Sequence, residues 1–163
     1  MAKRKSPGGT PATVALTRAG IEFVLHEYDH DPRATSYGSE AAEALGLDPA
    51  RVYKTLMASV DGSLAAAVVP VSGWLDLKAL ARTLGASKAG MADQADAERA
   101  TGYVVGGISP IGQKRRHPTV VDSTALDHPT VYVSAGRRGL DLEISPADLV
   151  RITEAIVDRV GRE

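Results

Sequence analysis

Val52-Tyr53-Lys54-Thr55-Leu56-Met57-Ala58-Ser59-Val60-Asp61-Gly62 is the stretch on which the fold turns. Its first nine residues have the β-branched, aromatic and apolar content of a strand. Asp61-Gly62 is a strong hairpin signal, because both turn positions favour residues that tolerate positive φ, and Leu64 to Val71 follow as the return strand. A second turn at Gly136-Arg137-Arg138-Gly139 joins strand-like Thr130–Ser134 to Leu140–Ile144. Two hairpins argue against a purely parallel sheet. The expected fold is mixed α/β, with runs of strand and helix in one domain over residues 10–163. Within the first strand, a period of two places Lys54 on one face with Val52, Leu56, Ala58 and Val60. A lysine in an apolar row either has a counter-charge or a ligand cavity beside it, or it snorkels to water at a sheet edge.

The 163 residues are 44% hydrophobic, enough for one sizeable core. The absence of cysteine excludes disulfides and thiolate metal sites. No apolar stretch approaches membrane-spanning length and no secretory leader follows Met1, so the expected compartment is the cytoplasm. A net charge of −1 argues against a protein coated in nucleic acid, DNA included, while leaving room for a local basic patch. Lys3-Arg4-Lys5 belongs to an expected mobile tail over residues 1–9.

Helix signals punctuate the rest of the chain. Thr10-Pro11 opens a helix to Arg18 that Gly20 closes, and Ile21 to Tyr28 alternates as a strand. Ser39 to Leu45 reads as a helix stopped by Gly46, and Asp48-Pro49 opens one further helical turn. Asp76 caps a helix that Gly85 ends, and Asp93 caps one between Ala92 and Ala100. Tyr103–Val105 is an apolar, strand-like run. Thr119–Asp122 reads as a strand. Ser145-Pro146-Ala147-Asp148 has the form of a capping box, from which a final helix is expected to reach about Val160 with Leu149, Ile152, Ile156 and Val160 as its stripe.

Gly106-Gly107-Ile108-Ser109-Pro110-Ile111-Gly112, followed by Gln113-Lys114-Arg115-Arg116, is the stretch most suggestive of a site. A glycine-rich loop stiffened by proline can hold amide N–H groups at fixed positions for a carbonyl oxygen or a phosphate; it is equally an ordinary tight turn. It is neither a Walker loop, since Gln113 stands where the lysine belongs, nor a nucleophile elbow, since Ser109 is followed by Pro110-Ile111 before Gly112. His26 and His30 straddle a strand end with no third ligand, so no metal site is expected. Asp141 alternates with Leu140 and Leu142, as a solvated strand carboxylate would. Lys114-Arg115-Arg116 and Arg137-Arg138 are the basic clusters, either phosphate contacts or solvated charge. Tyr28, Tyr37 and Tyr103 are either pocket walls or core.

Tyr28-Asp29-His30-Asp31, Val52-Tyr53-Lys54-Thr55-Leu56, Leu75-Asp76-Leu77-Lys78, Met91-Ala92-Asp93, Thr101-Gly102-Tyr103 through Gly112-Gln113-Lys114, and Tyr132-Val133-Ser134 through Gly139-Leu140-Asp141 together resemble the YbaK/EbsC family of aminoacyl-tRNA deacylases. That family is similar to the editing domain inserted in bacterial prolyl-tRNA synthetases. The resemblance runs from Thr10 to the last helix. It implies a mixed, largely antiparallel curved sheet or partial barrel surrounded by short helices. It also implies hydrolytic proofreading without a cofactor, with cysteine misplaced on the proline tRNA as the leading substrate and alanine or another small residue as alternatives. The family's essential lysine falls on Lys54 and its Gly-x-x-x-Pro motif on Gly106–Pro110. In that family the cysteinyl thiol attacks its own ester.

The roles so implied are amides of Gly106 and Gly107 on the carbonyl oxygen and Lys54 on the terminal nucleotide. Tyr28, Tyr37, Thr55, Ile108, Ser109, Pro110 and Asp141 would form the pocket. Lys114, Arg115, Arg137 and Arg138 would meet tRNA, and prolyl-tRNA synthetase is the implied protein partner. A non-catalytic module that carries aminoacyl-tRNA or a nucleotide in the same pocket is the rival of another class.

Overall fold

Asp61 and Gly62 turn with φ of 49° and 86°, closing strands β2 (Tyr53–Val60) and β3 (Ser63–Pro70) into an antiparallel hairpin that runs from Tyr53 opposite Pro70 to Val60 opposite Ser63. The carboxylate of Asp61 accepts from the Ser87 and Lys88 N–H groups, which pins the turn to the next layer. These features come from a computed structural model that describes residues 9–34 and 36–163; the basic tail at Lys3-Arg4-Lys5 lies outside them.

The hairpin is the centre of a five-stranded sheet. β2 pairs antiparallel with β5 (Ala89–Met91), β3 parallel with β6 (Thr119–Asp122), and β6 parallel with β9 (Ile156–Asp158). A second sheet is antiparallel, in the order β1 (Val24–Glu27), β8 (Leu140–Ile144), β7 (Val131–Arg137). A parallel bridge between Val52 and Tyr132 ties the two sheets together. A short pair, β4 (Trp74–Leu75) with β10 (Gly161–Arg162), completes the strands. The largely antiparallel arrangement is as expected, and its ladders remain three separate sheets rather than one closed barrel.

β3 is buried on both faces, which accounts for its nearly unbroken apolar run. Ala66 and Val68 join Leu16, Val121, Val133, Leu142 and Leu149 in the core between the two sheets, while Ala67 and Val69 join Leu80, Val120 and Val160 on the far side. Helix α1 (Pro11–Ala19) begins at a reciprocal Thr10–Thr13 capping box and stops at Gly20, as its sequence indicates. Helices α3 (Leu77–Thr83) and α4 (Gln94–Thr101) are capped by Asp76 and Asp93.

The structure differs from the sequence expectation in several places. β1 is shorter than the alternation from Ile21 to Tyr28. Helix α2 (Tyr37–Leu45) begins two residues before Ser39, behind an N-cap Ser36 that makes no side-chain cap bond. Tyr103–Val105 is no strand: Gly102 ends α4 in the left-handed conformation, and the Val105 N–H donates to the Glu98 carboxylate at 2.9 Å instead of a ladder. β7 runs on to Arg137, leaving Arg138-Gly139 as the tight turn.

The last helix, α5 (Pro146–Thr153), also ends early, at Glu154 with φ 54°. Its expected continuation to about Val160 becomes β9 and the extended chain that leads into β10. Asp122, fully buried, supplies the reason: its Oδ1 accepts from the Val160 and Gly161 N–H groups at 2.8 and 2.7 Å. Those bonds and the ladder to β6 outweigh a helical stripe that the spacing alone permits.

Candidate active site

One cavity of about 400 Å³ opens between the start of β2, the N-terminus of α2, the glycine loop and the β7–β8 hairpin. The early start of α2 places Tyr37 and Gly38 in its wall. Gly38 is needed there, since a Cβ would sit 2.3 Å from Val71 Cγ1. Met57, Met91 and Ala97 supply apolar surface, and Tyr28, Tyr53, Gln94 and Ser134 supply polar atoms.

Lys54 and Asp141 are the charged side chains of this wall. Lys54 Nζ donates to the Gly73 carbonyl at 3.0 Å, and burial lowers its pKa. Asp141 is 6% exposed, against the reading as a solvated strand carboxylate, because both faces of β8 are covered. Burial pushes its carboxyl up to about 6, with His26 partly opposing. Burial and then the charge of Asp141 push the neighbouring Tyr28 phenol to about 12, so it remains an O–H donor near neutrality. Thr55 contributes a buried hydroxyl with no hydrogen-bond partner among the described residues.

The glycine loop divides into wall and support. Gly106 and Ile108 line the cavity. Gly106 adopts φ 92°, and a Cβ on it would lie 2.8 Å from both Arg138 Nε and Tyr37 Cγ. The Gly107 N–H is committed to the Val104 carbonyl at 2.8 Å, so the expected pair of amides reduces to Gly106. Ser109 is fully buried, with its Oγ accepting from the Ile111 N–H and its carbonyl accepting from Gln113 Nε2. Pro110 lines a groove behind the loop. Ser109 and Pro110 therefore buttress the loop outside the cavity wall. Tyr103 is core and donates to the Ile111 carbonyl at 2.7 Å.

The four basic residues do not form one patch. Arg137 pairs with Glu27 at 3.2 Å. Arg138 turns inward onto the Val105 carbonyl. Lys114 and Arg115 lie along surface depressions with Asp93 and Asp96, and Arg115 borders a second groove with Arg18, Arg116 and His117. His26 and His30 face Glu143 and Glu40, not each other, and the described residues contain no cluster of three or more metal-ligating side chains. Gly38 and Gln94 enter the wall with no motif of their own, revealed only by the packing of α2 and α4, while Ser134 and Val105 lie within family-like stretches that gave them no role.

A mixed α/β domain with this cavity has known counterparts. Residues 30–152 match the family model described as an aminoacyl-tRNA editing domain, and the chain belongs to that family. Among individual proteins, it is 35% identical over 155 residues to the Enterococcus faecalis (strain ATCC 700802 / V583) protein named "Putative Cys-tRNA(Pro)/Cys-tRNA(Cys) deacylase EbsC", covering 94% of this chain and 93% of that one. The crystal structure of the hypothetical protein APE2540 superposes with a TM-score of 0.83 at 28% identity, over 93% of this chain and 99% of that chain. "Crystal structure of a putative trans-editing enzyme for prolyl tRNA synthetase" describes another, with TM-score 0.82 and 24% identity over 98% and 100% of the two chains, a likeness of fold. No helix among the described residues is long and apolar enough to cross a membrane.

Proposed function

We propose that the chain is a trans-acting aminoacyl-tRNA deacylase that clears cysteine from mischarged proline tRNA. The observation that carries this reading is the make-up of the cavity wall: one lysine, one buried carboxyl and one glycine-loop backbone, without a histidine to activate a serine. Such a wall is suited to hold and polarise an ester whose nucleophile arrives with the substrate.

The roles follow from the chemistry of each group. The Gly106 N–H donates to the ester carbonyl oxygen as negative charge grows on it, an interaction typically worth ~10²-fold or more in rate. Asp141, ionised above about pH 6, accepts from the α-ammonium of the aminoacyl group. Lys54 exchanges its Gly73 carbonyl for the terminal phosphate or ribose. The cysteinyl Sγ attacks the ester carbon, the bond to the ribose oxygen breaks, and the thiol proton ends on the departing hydroxyl; water then opens the thiolactone. With a net charge of −1 and scattered basic residues, tRNA affinity is low, and docking on prolyl-tRNA synthetase supplies effective concentration.

A panel of charged tRNAs tests this. Free cysteine should appear with turnover from Cys-tRNA(Pro), faster than alanine from Ala-tRNA(Pro), while Pro-tRNA(Pro) stays intact. Retardation of all three without release of amino acid would identify a binding module instead.

A further inference from the structure

Arg138 stands in a tight surface turn, the place for a residue that greets a tRNA phosphate, yet its side chain is turned into the protein. Nε and Nη2 donate to the single carbonyl oxygen of Val105 at 2.8 and 2.5 Å, and the guanidinium carbon lies 4.7 Å from the centre of the Tyr37 ring. One edge of the fork and one face of the plane are thereby occupied. We propose that Arg138 is a positioning residue that orients and strengthens the Gly106 N–H as donor to the ester carbonyl oxygen; the inference rests on the deacylase reading above.

The Val105 carbonyl and the Gly106 N–H are the two ends of one planar peptide group. A cation hydrogen-bonded to the oxygen draws electron density through that group and makes the N–H a better donor, as chains of hydrogen bonds do in a low-dielectric site. The same contact fixes the peptide plane. Gly106, at φ 92°, is held so closely between Arg138 and Tyr37 that a Cβ would stand 2.8 Å from each. On the next residue, a Cβ at Gly107 would stand 2.7 Å from Arg137 Cα, so backbone lies directly against backbone across the loop and the turn. Among the described residues the Gly106 N–H has no protein acceptor, unlike its neighbours at Val105 and Gly107. The peptide is thus braced on its carbonyl side and free on its donor side. An ammonium cannot copy the planar, two-donor grip, so lysine is an incomplete substitute.

The test is steady-state deacylation of Cys-tRNA(Pro) by wild type, Arg138→Lys and Arg138→Ala at several salt concentrations, together with the ¹H–¹⁵N resonance of Gly106 in substrate-free protein. A positioning role predicts that kcat falls on the order of 10- to 100-fold in Arg138→Ala and less in Arg138→Lys. KM and the salt slope stay unchanged, added guanidinium ion restores part of kcat, and the Gly106 amide proton moves upfield within an otherwise dispersed spectrum. A raised KM with unchanged kcat, a salt slope shallower by about 0.7, and an unmoved Gly106 resonance would make Arg138 a phosphate contact and overturn the proposal. Should Arg138→Ala fail to fold, Arg138→Lys decides by the same kinetic and spectral criteria. Wild-type protein inactive on every charged tRNA sinks the deacylase reading itself; an active wild type matched in kcat by both variants sinks only the role of Arg138.

Discussion

Lys54 on β2 and Asp141 on β8 face one cavity from two different sheets, and burial drives both toward their neutral forms, the carboxyl up to about 6 and the amine down. Desolvation of these two charges is unfavourable for the free protein. They become favourable when a ligand brings an ammonium to one and a phosphate or hydroxyl to the other. The proposed roles of Lys54 and Asp141 therefore predict a trade of stability for function that can be measured.

Asp141→Asn should stabilise the protein at neutral pH while reducing activity. An aspartate that titrates at 3.8 when unfolded and about 6 when folded keeps its proton in the native state after the unfolded chain has lost it. Stability then falls as pH rises from about 4 to 6 and is level above, a loss of roughly 3 kcal/mol at 1.36 kcal/mol per pH unit. Denaturant melts of the two proteins should converge near pH 4 and separate above pH 6 with the variant ahead. Deacylation by wild type should decline below pH 6 as Asp141 is protonated, and Asn should remove that limb. A variant no more stable at pH 8 would contradict the buried carboxyl.

Lys54→Met keeps the aliphatic stem and removes the ammonium. Its loss deprives the Gly73 carbonyl of a donor but relieves a desolvated cation, so the melting temperature should stay within about 4 °C, the shift that ~1 kcal/mol produces in a domain of this size. Activity should drop at least ~10²-fold, the scale of one lost electrostatic contact in a catalytic site. Unchanged turnover would remove Lys54 from the site.

Gly106→Ala should cost both activity and stability. The φ of 92° carries a penalty of ~1–2 kcal/mol for a residue with a Cβ, and the methyl, 2.8 Å from Arg138 Nε and from Tyr37 Cγ, would push both side chains aside. A loss in kcat larger than this stability cost explains, read under conditions where the variant is fully folded, marks the loop as functional. A purely thermodynamic defect would mark it as an ordinary turn.

Lys114→Ala and Arg115→Ala should each make the salt dependence of tRNA binding shallower by about 0.7 if single-strand behaviour applies, since each would remove one phosphate contact. With so few contacts the starting slope is small. Addition of prolyl-tRNA synthetase at low protein concentration should accelerate deacylation of Cys-tRNA(Pro) by tethering. A steep slope in wild type, or no acceleration, would indicate an enzyme that recognises tRNA unaided.

Local signals determined much of this protein. Asp61-Gly62 specified the hairpin because few residue pairs accept positive φ twice, and Thr10, Asp76 and Asp93 specified helix starts because their side chains cap N–H groups a few residues away. The alternation around Lys54 exposed a cation in an apolar row, and resemblance to a known family supplied the chemistry. Tertiary structure decided what depends on partners distant in the chain. Asp122, more than thirty residues upstream, turned an apparent helix at Ile156–Val160 into extended chain by binding the amides of Val160 and Gly161. Packing of β2 and α2 around the cavity buried Asp141 on a face that alternation alone assigns to solvent, and Val105 took Arg138 inward from a turn where sequence suggests a tRNA contact. Periodicity reports which side of an element a residue occupies; what covers that side is set by elements that only folding brings together.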